Sequence, residues 1–229
     1  MHSKTTRAAL AALLTASLAG GLTACGSDDQ NTSSSNTSMM HSTTAGTSAT
    51  AADVDAAFVR QMIPHHQMAV VMAESAKRSA THAQIKTLAT AIIAAQQKEI
   101  AQMKAIAKAN GVDRSGATSM MNGDARTMGL AMSAMGMSMN TADLDGASNY
   151  DRAFIDMMIP HHQGAIAMAK VELAKGSDAE LKTLARGIVA AQEKEIAEMR
   201  AWRKAWFGSS GVDATTGTGH MDHGDMPGM

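Results

Sequence analysis

Apolar side chains recur every three or four residues along two neighbouring stretches of the chain. The first stretch runs from Val54 to Ala76 and the second from Ile85 to Ile106, with polar residues at 77–81 between them. This spacing places the apolar residues on one face of an α-helix, and the intervening Ala, Gln, Lys and Glu favour helix. Since the residues at 110–111 are Asn-Gly, a helix stop, the pattern predicts a helical hairpin that ends there.

The same pattern returns 96 residues later. Residues 55–109 align without a gap on residues 151–205, with 29 identities in 55 positions, which indicates a duplication. A single hairpin cannot cover its own apolar face, so the repeat predicts an all-α four-helix bundle over residues 53–208. Its units are 53–110 and 149–208, and the connection 111–148 is predicted to contain a short helix over 125–135.

The N-terminal residues form an export signal. Lys4 and Arg7 precede an apolar run that ends in Leu-Thr-Ala-Cys, with Cys25 as the cysteine. This resembles a bacterial lipoprotein signal over 1–24, in which Cys25 would be lipidated; an ordinary secretory signal is the alternative. Both predict an extracytoplasmic protein of the cell envelope, and the first adds a lipid anchor in the membrane. A Ser/Thr-rich tether follows over 25–52, and a flexible tail is predicted over 209–229.

Composition narrows the chemistry. The 20 basic residues nearly balance the 21 acidic ones, which argues against nucleic acid as a partner. Cys25 is the single cysteine, so no thiolate remains for a metal once it is lipidated. A metal site in this protein would therefore use Met, His, carboxylate or amide ligands.

The sequence Met-Ile-Pro-His-His-Gln occurs at 62–67 and again at 158–163. A proline inside a helix costs about 3 kcal/mol, and here it recurs at matching positions. Methionines four residues apart share a helical face with the histidines. The apolar stripe passes between the two histidines of each motif, so we expect one to face the core and the other to flank it. The candidate metal ligands are Met62, His65, His66, Met68, Met72, Met158, His161, His162 and Met168.

The second helix of each hairpin carries polar residues on its apolar stripe. Counting outward from a turn near residue 80 brings Gln96 and Glu99 level with the first motif, and Gln192 and Glu195 level with the second. Buried polar groups need partners, so these residues either bond the histidines or help to bind a metal. Further candidate ligands here are Glu99, Met103, Glu195 and Met199. The alternative for any single methionine is that it simply fills the core.

The connection and the tail are rich in soft ligands. Seven methionines fall within residues 120–139, where we expect no helical core for them to fill. The candidates are Met135, Met137 and Met139 in the connection and His220, Met221, His223, Met226 and Met229 in the tail. Thioethers select Cu(I), while imidazole accepts both oxidation states of copper. The sequence therefore predicts copper as the cofactor, Cu(I) above Cu(II), although a low-complexity tail without a metal is the alternative.

The pattern Asp-x-x-Phe-x-x-x-Met-Ile-Pro-His-His-Gln-x-Ala, at 55–69 and again at 151–165, resembles the signature of the DUF305 family of domains of unknown function. The resemblance implies a ferritin-like bundle, exported and often lipid-anchored, associated with copper binding and copper resistance. The implied ligands are Met62, His65, His66 and Met72 with Met158, His161, His162 and Met168. Gly164 stands where the first motif has Met68, so we expect the two sites to differ in ligand number or affinity.

Three functions follow as hypotheses. The first is a non-enzymatic lipoprotein that sequesters or delivers copper, with copper ions and the membrane as partners and a copper-trafficking protein as a further partner. The second is a cell-envelope interaction protein that docks partners, or a second copy of itself as a homodimer, on a Met-rich surface. The third is a di-iron oxidase, which is disfavoured because no Glu-x-x-His pair occurs in the sequence.

Overall fold

Four long helices form the bundle. The computed structural model describes residues 49–112 and 117–208, apart from the side chains of 117–121. The long helices are α1 (Ala51–Ser79), α2 (Ala83–Ala109), α5 (Tyr150–Lys175) and α6 (Ala179–Phe207). Between the hairpins lie α3 (Ala117–Met128), a 3-10 turn (Ser133–Met135) and the short α4 (Ala142–Asp145). No strand occurs in the described ranges, so the predicted all-α bundle is confirmed there. Among these helices, none has the length and apolarity that a membrane crossing requires.

The ends of the long helices follow the local sequence signals. Thr50 and Asp53 form a capping box at the start of α1. Gly111 follows α2 and Gly208 follows α6, both with positive φ (66° and 79°), a conformation in which glycine carries no steric cost. Helices α1 and α5 continue without a break through Pro64 and Pro160.

The connection between the hairpins differs from the prediction. The single short helix expected over 125–135 is not observed with those bounds: α3 covers Ala117–Met128, and a separate 3-10 turn covers Ser133–Met135. Helix α3 ends at Met128 because the next residue, Gly129, has a φ of 70° and leaves the helical conformation. The connection also packs on the bundle: Met128 and Met135 are fully buried. The expectation that its methionines have no core to fill is therefore wrong for these two residues.

An ion pair holds α3 against α1. The Arg60 guanidinium donates to both carboxylate oxygens of Asp124, at 2.6–3.1 Å, and Gln61 Nε2 donates to the same carboxylate at 2.8 Å. Asp124 is almost completely buried, and a buried carboxylate is stable only when it is paired and hydrogen-bonded. This link fixes the path of the connection across the first hairpin.

Two aspartates join the hairpins in a reciprocal way. Asp55, near the start of α1, accepts hydrogen bonds from the Ser177 backbone N–H (2.8 Å) and hydroxyl (2.6 Å) in the turn between α5 and α6. Asp151, at the start of α5, accepts from the backbone N–H groups of Thr81 and His82, both at 2.8 Å, in the turn between α1 and α2. Helices α1 and α5 are therefore antiparallel neighbours, and the two hairpins are related by a near-twofold rotation.

The core divides into two buried clusters, each drawing on both hairpins. The first cluster contains Phe58, Met62, Met103 and Met168 together with Met135 of the connection. The second contains its repeat counterparts, Phe154, Met158, Met199 and Met72. Because α1 and α5 run antiparallel, each cluster combines the early part of one helix with the later part of the other.

Both tryptophans lie at the end of α6. The His82 ring stacks on Trp206 with centroids 3.8 Å apart, and Trp206 stacks on Trp202 at 5.5 Å. The Nδ1 atom of His82 also bonds Asp151. In the second repeat, Asp178 takes the place of His82 and caps α6 with its own side chain, so this aromatic stack belongs to one end of the bundle.

A buried carboxyl group lies beside Asp55. Glu172 is fully buried, and a Cβ placed on Gly176 would lie 2.2 Å from Glu172 Oε1 and 2.6 Å from Asp55 Oδ1. Burial, followed by the neighbouring Asp55, raises the pKa of Glu172 to about 8. The folded protein therefore holds Glu172 protonated at neutral pH, whereas the unfolded chain ionises it above its ordinary pKa of 4.5.

This difference predicts that stability falls as the pH rises from about 4.5 to about 8. Over that interval the folded state binds the extra proton, so the free energy of unfolding decreases by up to about 1.4 kcal/mol per pH unit. Glu172→Gln removes the titration and keeps the shape. Between pH 5 and 8.5, the free energy of unfolding should decrease in both proteins, but the decrease should be about 2–4 kcal/mol smaller in Glu172→Gln than in the parent protein. Urea unfolding at several pH values measures this difference.

The exposed Glu193→Gln variant serves as the control and should retain the pH dependence of the parent protein. If Glu172→Gln and the parent protein lose stability in parallel over this interval, Glu172 is not protonated in the folded state.

Candidate metal centre

Two histidines, one from each repeat, meet where α1 crosses α5. The rings of His65 and His161 have centroids 3.7 Å apart and planes tilted by 31°. Both side chains are completely buried. The antiparallel pairing of α1 and α5 brings these equivalent positions together, so the two repeats build one shared histidine pair. The expectation of one separate histidine site in each repeat is corrected by this geometry.

The ring nitrogens of this pair make no hydrogen bond of good geometry. Nδ1 and Nε2 of both His65 and His161 are buried, and the Met135 backbone beside His65 only partly opposes the lowering of the His65 pKa. Burial lowers the pKa of each ring well below the ordinary value of 6.5, and the neighbouring histidines lower it further. Both imidazoles are therefore neutral at neutral pH, the form that binds a metal ion. A buried polar atom without a partner is costly, and a metal ion would satisfy one nitrogen of each neutral ring, the one that carries the lone pair.

The second histidine of each motif flanks the pair. His66 Nε2 donates to Glu99 Oε2 at 2.8 Å, and His162 Nε2 donates to Glu195 Oε2 at 2.6 Å. Each of these rings lies 6.3 Å from the adjacent histidine of its own motif. The four rings thus follow one another in the order His66, His65, His161, His162.

Glu99 and Glu195 orient the flanking rings. When the ring is neutral and Nε2 donates to the carboxylate, Nδ1 carries the lone pair, and the Nδ1 atoms of His66 and His162 are both buried without a hydrogen-bond partner. Such a carboxylate–imidazole arrangement is typical of metal-binding histidines. The register predicted for Glu99 and Glu195 is confirmed. The prediction that one histidine of each motif faces the core and the other flanks it agrees with the structure only in part: the second histidine does lie beside the central pair, but all four rings are completely buried.

The predicted methionine ligands fall into two groups in the core. Met62, Met103 and Met168 belong to the first cluster, and Met72, Met158 and Met199 to the second; all six are completely buried. Met68 is half-buried and packs against the second cluster. Each of the two groups contains methionines from both repeats. The spacing of the motif along one helix therefore identifies the methionines, but it does not predict which of them share a cluster.

The remaining predicted ligands lie in the connection between the hairpins or outside the described residues. Met135 is buried in the first cluster, Met137 packs against that cluster, and Met139 is half-buried. Cys25 and the tail candidates lie outside the described residues. Among the described residues, no group of three or more His, Asp or Glu side chains is arranged to hold a metal ion.

An open groove reaches Glu99, the glutamate that bonds the flanking histidine His66. It lies between α2 and α6, has a volume of about 850 Å³, and is lined by Glu99 together with Lys98, Gln102, Glu180 and Thr183. The side chain of Glu99 is 16% exposed. The groove thus extends to the carboxylate that orients His66.

Several residues that shape the centre are not evident from the motif chemistry. Asp55 and Asp151 each bond the turn of the opposite hairpin. The sequence signals this role only through the recurrence of the aspartate at the same position of both repeats. Gly136, whose φ is 68°, would bring a Cβ within 3.3 Å of His65 Nε2. Nothing in the local sequence predicts this contact, because it depends on where the connection crosses α5.

The architecture defines a class: a duplicated helical bundle whose repeats meet at a buried histidine pair, with buried methionines in both core clusters. The chain belongs to the family described as Domain of unknown function (DUF305), whose model matches residues 55–203 and 151–229. No curated protein sequence is significantly similar to the chain.

Solved structures of other proteins share the fold. CopM in its Cu(I)-bound form is 34% identical, with a TM-score of 0.55 over 67% of this chain and 98% of the CopM chain. CopM in its Cu(II)-bound form is also 34% identical, with a TM-score of 0.56 over 67% and 97% of the two chains. A DUF305 protein from Streptomyces coelicolor, predicted to be secreted, is 25% identical, with a TM-score of 0.62 over 73% of this chain and 99% of its own.

The bond from His66 to Glu99 supports a stability prediction. Glu99→Ala leaves the buried Nε2 atom of His66 without an acceptor, which should lower the free energy of unfolding of the metal-free protein by about 1–3 kcal/mol. Glu99→Gln retains an acceptor oxygen and should cost less. Urea unfolding monitored by circular dichroism measures both variants.

Glu193→Ala, at an exposed position of α6, is the control and should change the free energy of unfolding by less than about 0.5 kcal/mol. If Glu99→Ala is as mild as this control, the bond does not contribute to stability.

Proposed function

We propose that this protein binds copper, as Cu(I) in preference to Cu(II), at the His65/His161 pair. The observation that carries the proposal is that these two rings lie 3.7 Å apart, are completely buried, and make no hydrogen bond of good geometry through their ring nitrogens. Neutral imidazoles accept copper in both oxidation states. A pair of neutral nitrogens in an apolar core favours the ion of lower charge, because burying charge is costly.

The thioethers support the preference for Cu(I). Six completely buried methionines, three in each cluster, belong to the helices that carry or face the histidines. Thioether sulfur is a soft ligand that selects Cu(I) among the common ions. In their neutral form, the flanking rings of His66 and His162 would add two Nδ1 lone pairs, since each Nε2 donates to a carboxylate. The described residues thus offer soft and neutral ligands in one region.

The CopM structures agree with this assignment. Their descriptions name Cu(I), Cu(II) and silver as ions bound to CopM, and CopM shares the bundle architecture with this chain. Silver(I) is a soft ion like Cu(I), which fits a thioether and imidazole ligand set.

The cellular role follows from the export signal. We propose that the protein acts outside the cytoplasm, attached to a membrane by lipid on Cys25, and that it sequesters or delivers copper without catalysing a reaction. The Met- and His-rich tail would capture ions and pass them on. A copper-trafficking protein as recipient and a homodimeric state remain predictions of the sequence.

A Met-rich docking surface is less well supported. Every methionine whose side chain is described is buried or half-buried, and Val71 is the single exposed large apolar side chain in the described ranges. The observations therefore favour methionine as a core and ligand residue over methionine as an exposed contact surface.

The proposal predicts the effect of removing either central histidine. His65→Leu and His161→Leu each delete half of the pair while retaining an apolar side chain of similar size. Each should weaken Cu(I) binding by at least about 100-fold, because loss of a ligand should exceed the 10–100-fold effect of losing an orienting partner. Anaerobic competition with a chromophoric Cu(I) chelator measures the affinity, and circular dichroism checks the fold.

Two comparisons make this test specific. Gln67→Ala, at the exposed position that follows the histidines, should bind Cu(I) like the parent protein. A chain that ends at Gly208 should retain the tight site. Copper binding that disappears with the tail but survives in His65→Leu and His161→Leu would refute the histidine pair as the site.

A further inference from the structure

The connection crosses α5 at Gly164 with its backbone in direct contact. A Cβ placed on Gly164 would lie 2.3 Å from Met135 O, 2.4 Å from Met135 C and 2.7 Å from Gly136 N. All three atoms belong to the backbone, so a side chain at this position has no flexible neighbour to displace. Glycine is therefore required here by the close approach of two chain segments.

The same segment lies against the histidine pair. We call residues 133–136 the strap. A Cβ placed on Gly136 would lie 3.2 Å from His161 Cα and 3.3 Å from both His161 O and His65 Nε2. Met135 is completely buried in the first cluster and anchors the strap. The strap thus covers the side of the pair on which His65 Nε2 lies.

The repeat breaks its symmetry at this position. Met68 occupies in α1 the place that Gly164 occupies in α5. The hairpins are related by a near-twofold rotation, which exchanges Met68 with Gly164 and His65 with His161. The position of Met68 relative to His161 therefore corresponds to the position of Gly164 relative to His65. One face of the pair is therefore closed by backbone, whereas the other carries a half-buried methionine. Methionine is unbranched and readily changes conformation.

We propose that Gly164 is a positioning residue that seats the strap over His65, so that an ion reaches and leaves the histidine pair from the Met68 face, where the Met68 thioether is its first contact. The route of the ion rests on the proposed copper function, whereas the position of the strap over His65 does not depend on it. The asymmetry gives the protein one route of exchange where a perfect duplication would have two equivalent routes.

The first test uses the metal-free protein. Gly164→Met restores the residue of the other repeat and should displace the strap. Modification of His65 by diethyl pyrocarbonate, localised by mass spectrometry, should accelerate by at least about 10-fold, since opening the cover raises the population of reactive rings. Gly187→Ala is the matched control, because its added Cβ meets nothing within 4 Å, and its His65 should react like that of the parent protein.

A second variant keeps the test decisive if Gly164→Met does not fold. Met135→Ser weakens the anchor of the strap outside the four long helices and should expose His65 in the same way. Unchanged reactivity of His65 in a folded Gly164→Met or Met135→Ser protein overturns the proposal.

The second test follows the ion. Release of Cu(I) to a chelator in excess should be at least about 10-fold faster from Gly164→Met, because a second face is open, and slower from Met68→Leu. Met157→Leu is the control for Met68, since Met157 is also half-buried against the second cluster. Release that changes in Glu99→Gln but not in Met68→Leu would place the route in the groove between α2 and α6 and overturn the proposal.

The two tests separate the two proposals. If His65 becomes reactive in Gly164→Met but the parent protein binds no copper, the strap is correctly assigned and the proposed copper function fails. If copper binds at the pair but its release is the same in every strap and Met68 variant, the copper function stands and the exchange route proposed here is wrong.

Discussion

The antiparallel contact between α1 and α5 is the constraint on which the other features depend. Two copies of one helical hairpin related by a near-twofold rotation bring equivalent residues together only near the axis, and His65 and His161 occupy that place. The reciprocal bonds of Asp55 and Asp151 to the opposite turns hold the axial register of this contact. A shift of one helical turn, about 5.4 Å, would separate the rings and break both sets of bonds.

The protonation and hydrogen bonding of the four histidines follow from this arrangement. Each central imidazole is completely buried beside another imidazole, so its pKa is lowered, protonation is disfavoured, and one lone pair on each ring stays available. The flanking histidines differ from the central pair because each donates a hydrogen bond to a glutamate at the edge of the bundle. The same dipeptide thus supplies one unbonded ring and one oriented ring in each repeat.

Much of the fold could be predicted from the sequence because its signals are local or periodic. The four long helices, the turn after Ser79 and the stop at Asn110-Gly111 follow from apolar spacing and capping residues. The pairing of His66 with Glu99 follows from counting outward along a hairpin.

The meeting of the two repeats could not be predicted in this way. Periodicity within one helix does not state how two hairpins are oriented to each other, so the shared pair of His65 and His161 appears only in three dimensions. The burial of Met128 and Met135 escaped prediction for a related reason. Their glycine-rich surroundings indicate a loose segment, whereas the ion pair from Arg60 to Asp124 fixes that segment on the bundle.

The aromatic stack at the end of α6 affects how this protein can be observed. Its two tryptophans are both in the stack with His82. Trp206 lies eleven residues beyond Glu195, the partner of His162, which corresponds to roughly 16 Å of helix rise. Intrinsic tryptophan fluorescence therefore reports on one end of the bundle, where α6 meets the turn between α1 and α2. A fluorescence change would signal loosening of that end, while the histidine pair needs a probe of its own.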